Sequence, residues 1–181
     1  MAESAVLTEA RSVGSTKSVT RIDRDSAPRD WLSALRRFIL ASALGNLAWE
    51  FAQLPLYTIW YDGSAREIAF AAIHCTGGDI LISGISLLAA LMFLGNGRWP
   101  HAGFYSVASA TIVGGLAYTI FSEWLNTEIR GSWAYSEWMP TLPLIGVGLS
   151  PFTQWIVAPI LTFWWARRPF AAISDREWGR P

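Results

Sequence analysis

The chain has 181 residues, about one domain, with 14 basic and 14 acidic side chains and a net charge of zero. That balance argues against nucleic acid as a partner, and a single cysteine, Cys75, excludes an internal disulfide and an intramolecular two-thiol redox motif. At 52% hydrophobic the chain is close to a soluble average, so the distribution of apolar residues carries the information.

Residues 1–30 are polar, mixed in charge and rich in Ser and Thr. They have none of the pattern of a secretory signal and are expected to form a disordered cytoplasmic tail, with Asp30 to Arg37 beginning an interfacial helix. Beyond Arg37 the chain turns apolar. Ile80 to Gly97, Trp99 to Ser122 and Trp138 to Ala166 hold no charged residue. Runs of 18 or more apolar residues read as membrane-spanning helices, since about 20 residues at 1.5 Å rise cross the hydrocarbon.

The expected architecture is therefore all-α, an integral membrane bundle of four helices over residues 31–168. The spans fall at about 38–60, 68–94, 101–125 and 142–165. Gly77 and Gly78 are expected to loosen the second span, and Pro143, Pro151 and Pro159 to kink the fourth. Short loops imply antiparallel neighbours. Residues 169–181 form a second cytoplasmic tail.

Twelve of the 14 Lys and Arg residues fall on one side of this arrangement, leaving Arg66 and Arg130 on the other. By the positive-inside rule both termini are cytoplasmic, and the expected location is a bacterial inner (plasma) membrane. Trp31, Trp99, Trp164 and Trp165 lie near one boundary, and Trp60, Trp124, Trp133 and Trp138 near the other, as an aromatic belt requires. Trp49 and Trp155 fall near mid-membrane instead.

The first span carries a full charge, Glu50, between two charge-free flanks. An ionised carboxylate there costs at least about 2.5–3.5 kcal/mol. Asn46, Glu50, Gln53 and Tyr57 recur at helical spacing on one face. Cys75, Asp79, Ser83 and Ser86 do the same on the second span, beside His74 and Thr76. Thr119, Ser122, Glu123 and Asn126 lie towards the outer end of the third, and Ser150, Thr153 and Gln154 on the fourth. Lipid satisfies none of these groups, so the stripes are expected to line a polar interior. Asn46, Ser83, Ser86 and Thr153 read as interhelical glue. Glu50 and Asp79 differ, being deep acids with no intramembrane cation, so at least one is expected to hold a proton and to be able to donate it.

Acid chemistry is thus assigned to Glu50 and Asp79, and ligand contact to Trp49, Asn46, Gln53, Tyr57, His74, Glu123, Gln154 and Trp155. No cofactor is expected. A metal at His74, Cys75, Asp79 and Glu123 is the alternative, although no HExxH-type spacing is present. Neither a G-x-S-x-G elbow nor a phosphate-binding loop occurs. The outer segment 126–151, with Trp133, Tyr135, Trp138 and Met139 among prolines, is expected to cap the pocket.

The stretch Asn46-Leu-Ala-Trp-Glu-Phe51 resembles the glutamate-bearing segment of transmembrane terpene cyclases of fungal meroterpenoid pathways. The resemblance implies that Glu50 protonates an epoxide or alkene and that Trp49 stabilises the cation. Those cyclases have about seven spans and a second carboxylate in a late helix, which the fourth span here lacks. The chain also looks like small bacterial polytopic membrane proteins of unassigned role. Expected partners are the bilayer, a lipophilic isoprenoid-like small molecule, and a second copy or a membrane-complex subunit. The competing functions are an accessory or assembly subunit of a membrane complex, and a proton-coupled or metal-handling transporter.

Overall fold

The computed structural model describes the backbone of residues 16–168 and the side chains of 31–168. It is helical throughout, and among the described residues the only extended pairings are two isolated bridges, Tyr57 with Tyr135 and Thr141 with Gly148. Four long helices carry the fold: α1 (Thr16–Gln53), α3 (Ala65–Leu94), α4 (Phe104–Trp124) and α5 (Leu149–Ala166), with a single-turn α2 (Ile59–Asp62) between the first two. α1 packs on α3 and α5, and α4 packs on the same two, which makes a four-cornered bundle.

Several boundaries differ from the sequence reading. α1 begins at Thr16, within the segment read as a tail; residues 1–15 and 169–181 lie outside the described residues. α1 stops at Gln53 rather than running to 60. Pro55 has no N–H to donate, and the chain passes through a 3-10 turn, Leu54–Leu56, into extended backbone at Tyr57. α3 starts at Ala65 because Ser64 caps it: its Oγ accepts from the Glu67 amide, and the Glu67 carboxylate accepts from the Ser64 amide at 2.8 Å. α4 continues past Trp124 as a π-helical turn, Leu125–Ile129.

The largest correction concerns the fourth span, which begins at Leu149 and not near 142. Leu142, Leu144, Ile145 and Val147 extend the apolar run but sit in a turn, closed by hydrogen bonds from the Leu142 amide to the Val147 carbonyl and from the Gly146 amide to the Leu142 carbonyl, both 2.9 Å. Gly146 takes φ +66, which suits glycine. Pro143 therefore lies in this turn and kinks no helix, while Pro159 is inside α5.

α3 and the continuous stretch Phe104–Ile129 are long and apolar enough to cross a membrane; α1 and α5 fall short of that standard. The side-chain distribution is inverted relative to a water-soluble bundle. Ile73, Leu81, Ile85, Met92 and Phe93 of α3 point outward, Phe93 being 83% exposed. Ser42, Asn46, Glu50, Gln53, Asp79 and Gln154 are buried. The interior is split along its length. Near the α3–α4 loop, Phe38, Leu87, Trp99, Val107 and Phe163 form an apolar core, with the Phe38 and Phe163 rings 4.9 Å apart. The other half holds the polar groups.

Candidate functional site

The boundary between the two halves is a serine pair, Ser42 Oγ donating to Ser83 Oγ at 3.2 Å, with Asn46 donating to Ser42 at 3.1 Å. One turn further along α1, Glu50 and Gln53 lie three residues apart on the same face, and Gln53 Nε2 donates to Glu50 Oε1 at 2.9 Å. Gln154 of α5 completes the cluster. Its amide nitrogen lies 3.1 Å from Glu50 Oε1, 2.9 Å from Asp79 Oδ2 and 3.2 Å from Asn46 Oδ1, and its oxygen accepts from Gln53 at 3.2 Å. An amide carries two N–H donors, so the three acceptors compete for them.

The Glu50 and Asp79 carboxyls thus meet at one amide, Gln154 Nε2. Both are buried, at 7% and 9% exposed, and the donors that reach them are the neutral amides of Gln53 and Gln154. This is the arrangement read from the polar faces of the first two spans.

These groups form the inner end of a cavity of about 830 Å³. Leu54, Ile59, Phe70, Ile82 and Trp155 give it apolar wall. Of the residues assigned from sequence, Glu50, Asp79, Gln53, Tyr57, His74, Glu123, Gln154 and Trp155 all line it. Asn46 and Trp49 do not. Asn46 is held one turn behind the cavity by Ser42 and Gln154, and the Trp49 indole donates to Ser150 Oγ at 3.2 Å. Trp155 is the mid-bundle tryptophan that reaches the cavity. It can do so because residue 115 is glycine: a Cβ there would lie 2.1 Å from the Trp155 ring.

Glu123, 7% exposed, forms a second polar centre nearer the loops. Tyr135 donates its hydroxyl to Glu123 and accepts from the Gly148 amide at 2.9 Å. The Tyr57 and Tyr135 rings are 5.6 Å apart. Around them the 130–148 loop is laced to the break after α1 by Thr58 N to Ala134 O at 3.0 Å and Ser136 N to Leu56 O at 2.9 Å. Burial, and then the bond to Glu123, push the Tyr135 phenol up from its usual range. Trp133 lines the cavity and interacts with Glu123, although its buried indole N–H makes no hydrogen bond of ordinary geometry. Trp138 and Met139 do not line the cavity; Met139 packs against Gly148. Of the expected aromatic cap, Trp133 alone lines the cavity, and Tyr135 reaches Glu123 instead.

The metal alternative is not assembled. Among the described residues no three His, Cys, Asp or Glu side chains form a group able to hold a metal ion. His74 instead stacks on Phe70, with ring centroids 5.4 Å apart. Arg66 and Arg130, informative in the sequence only for orientation, line the cavity too. Their spacing carries no motif, so nothing in the sequence marked them as site residues. No protein-family model, curated protein or solved structure matches the chain.

Proposed function

We propose that this is a four-span membrane protein, both termini cytoplasmic, whose outward-opening cavity takes a lipophilic isoprenoid-like molecule and protonates it from the Glu50–Asp79 pair. The observation that carries this reading is a pair of buried carboxyls, Glu50 and Asp79, meeting at one neutral amide at the inner end of an apolar-walled cavity of about 830 Å³; two carboxyls so close and so far from water hold one proton between them. Support for the membrane comes from the inverted side-chain distribution: apolar faces turned outward are favourable against lipid, and buried polar groups are satisfied by one another. Support for the orientation comes from the bias in Lys and Arg.

The chemistry balances without a co-reactant. The shared proton passes to an alkene carbon or an epoxide oxygen of the ligand, leaving a carboxylate and a carbocation. A neighbouring π bond attacks the cation and closes a ring. A C–H proton then returns to the carboxylate, so the product is an isomer of the substrate. Tyr57 and Trp155 line the cavity and offer ring faces to the positive charge, each worth about 0.5–2 kcal/mol.

Native mass spectrometry of the full chain, extracted in a mild neutral detergent, tests this reading against that of an accessory subunit. A lipophilic molecule bound to the chain without another protein is expected. A stoichiometric partner protein and an empty cavity would overturn it.

A further inference from the structure

The cavity is electrically divided along its length, and the division selects a kind of ligand. Its inner end holds Glu50 and Asp79; its outer end holds Arg66 and Arg130. Asp79 and Arg66 are on the same helix, 13 residues apart, so the two ends are separated by about 20 Å along α3. Phe70, Ile59 and Ile82 provide apolar wall along the cavity. Glu67, the acid beside Arg66, also lines this end, its carboxylate turned to the Ser64 amide and hydroxyl at 2.8 and 2.7 Å in the helix cap, so the two guanidinium groups outnumber it there.

We infer that the cavity takes a single-chain amphiphile with an oxyanion head, phosphate-like or carboxylate, held by Arg66 and Arg130, with its apolar chain running inward to Glu50 and Asp79. This rests on the proposed acid chemistry for the role of the inner end. Guanidinium groups suit such a head because their planar fork matches two oxygens at once. The reverse pose would set the head against the Glu50 and Asp79 carboxyls, like charge on like. The head also fixes how far the chain reaches, which selects the double bond presented to the shared proton.

The test compares dodecyl phosphate, dodecanoate, dodecanol and inorganic phosphate as ligands of the full chain in neutral-lipid nanodiscs, by titration calorimetry. Dodecyl phosphate or dodecanoate should bind at least about tenfold more tightly than dodecanol, the scale of one charged hydrogen bond. Inorganic phosphate should not bind at millimolar concentration, since it lacks the chain. Arg66→Gln with Arg130→Gln should abolish the preference and leave dodecanol binding unchanged. Equal affinity for the alcohol and both anions in the wild-type protein would overturn the inference without any variant. So would a preference that survives the double substitution, or one that a two-chain phosphatidate in the disc abolishes by competing equally well. The two readings separate cleanly: Glu50→Gln should leave the head preference intact, so its loss of proton transfer bears only on the chemistry at the inner end.

Discussion

Gln154 and Asp79 belong to different helices, α5 and α3, yet the Gln154 amide nitrogen meets Asp79 Oδ2 at 2.9 Å. Because that nitrogen also lies within reach of Glu50 and Asn46 of α1, one neutral side chain organises acceptors from two other helices. An amide suits this position better than a cation. It donates to both carboxyls without adding a charge, so the proposed shared proton is retained, whereas an Arg or Lys would favour full ionisation of both.

Replacing this hub should therefore be costly. Gln154→Leu removes the donor and strands several buried oxygens, at about 1–3 kcal/mol. Gln154→Glu substitutes an acceptor facing acceptors and should be the worse of the two. Thermal unfolding in detergent checks the order: both variants melt below wild type, with the glutamate lowest.

Close approach of Trp155 to Gly115 makes a second, sharply local expectation. Gly115→Ala drives a methyl group into the indole ring and should cost about 1–3 kcal/mol as overpacking, besides reshaping the inner cavity. Gly114→Ala next to it should be tolerated, since the nearest atom to its Cβ is Ser86 Oγ at 3.6 Å. Adding Trp155→Ala to Gly115→Ala should recover part of the loss. Equal melting of the two alanine variants would count against the packing described here.

Tyr135 ties the 130–148 loop to Glu123 and to the Gly148 amide. Tyr135→Phe should loosen this loop and raise its rate of proteolytic cleavage at neutral pH. The phenol is held above its ordinary value of 10.0, so the folded state binds that proton more tightly than the unfolded chain does. The tie is then fully present below about pH 10 and is lost as pH rises further. Cleavage of the wild-type loop, probed with an alkaline-active protease, should stay slow up to about pH 10 and quicken above it. The Tyr135→Phe loop should show no such step.

Much of this arrangement was legible in the sequence, for identifiable reasons. A helix face repeats every three to four residues, so Glu50 with Gln53, and Asp79 below Cys75, could be placed towards an interior before any helix was positioned. The charge-free runs marked α3 and α4 because nothing else fills 18 apolar positions so evenly. What failed was the reading of apolar residues that are not helical. Leu142 to Val147 are as apolar as a span, and only backbone geometry, with Gly146 at positive φ, shows them as a turn. The choice between Trp49 and Trp155 was equally hidden. Both fall mid-span, and the decision lies in Gly115 on a third helix, a relation across helices that no spacing along one segment encodes.

Topology is open to direct measurement. Reporter fusions after residues 64, 98, 132 and 175 should read outside, inside, outside and inside, the last lying beyond the described residues. In a Cys75→Ser background, Tyr57→Cys and Thr119→Cys, both at cavity-lining positions, should react with membrane-impermeant thiol reagents added outside. Ser86→Cys and Ser106→Cys should not. Labelling from the cytoplasmic face alone would invert the orientation.

The proposed proton donor is the most direct target. Full-length protein in detergent, incubated in heavy water with a farnesyl-chain alkene, should yield a cyclised isomer one mass unit heavier than the starting alkene, the added deuteron having come from the Glu50–Asp79 pair. Glu50→Gln and Asp79→Asn, whose amides preserve shape and polarity, should fold normally and give none of it. A cyclised product formed at the wild-type rate by either variant, or carrying no deuterium, would contradict a proton-donating role for the pair.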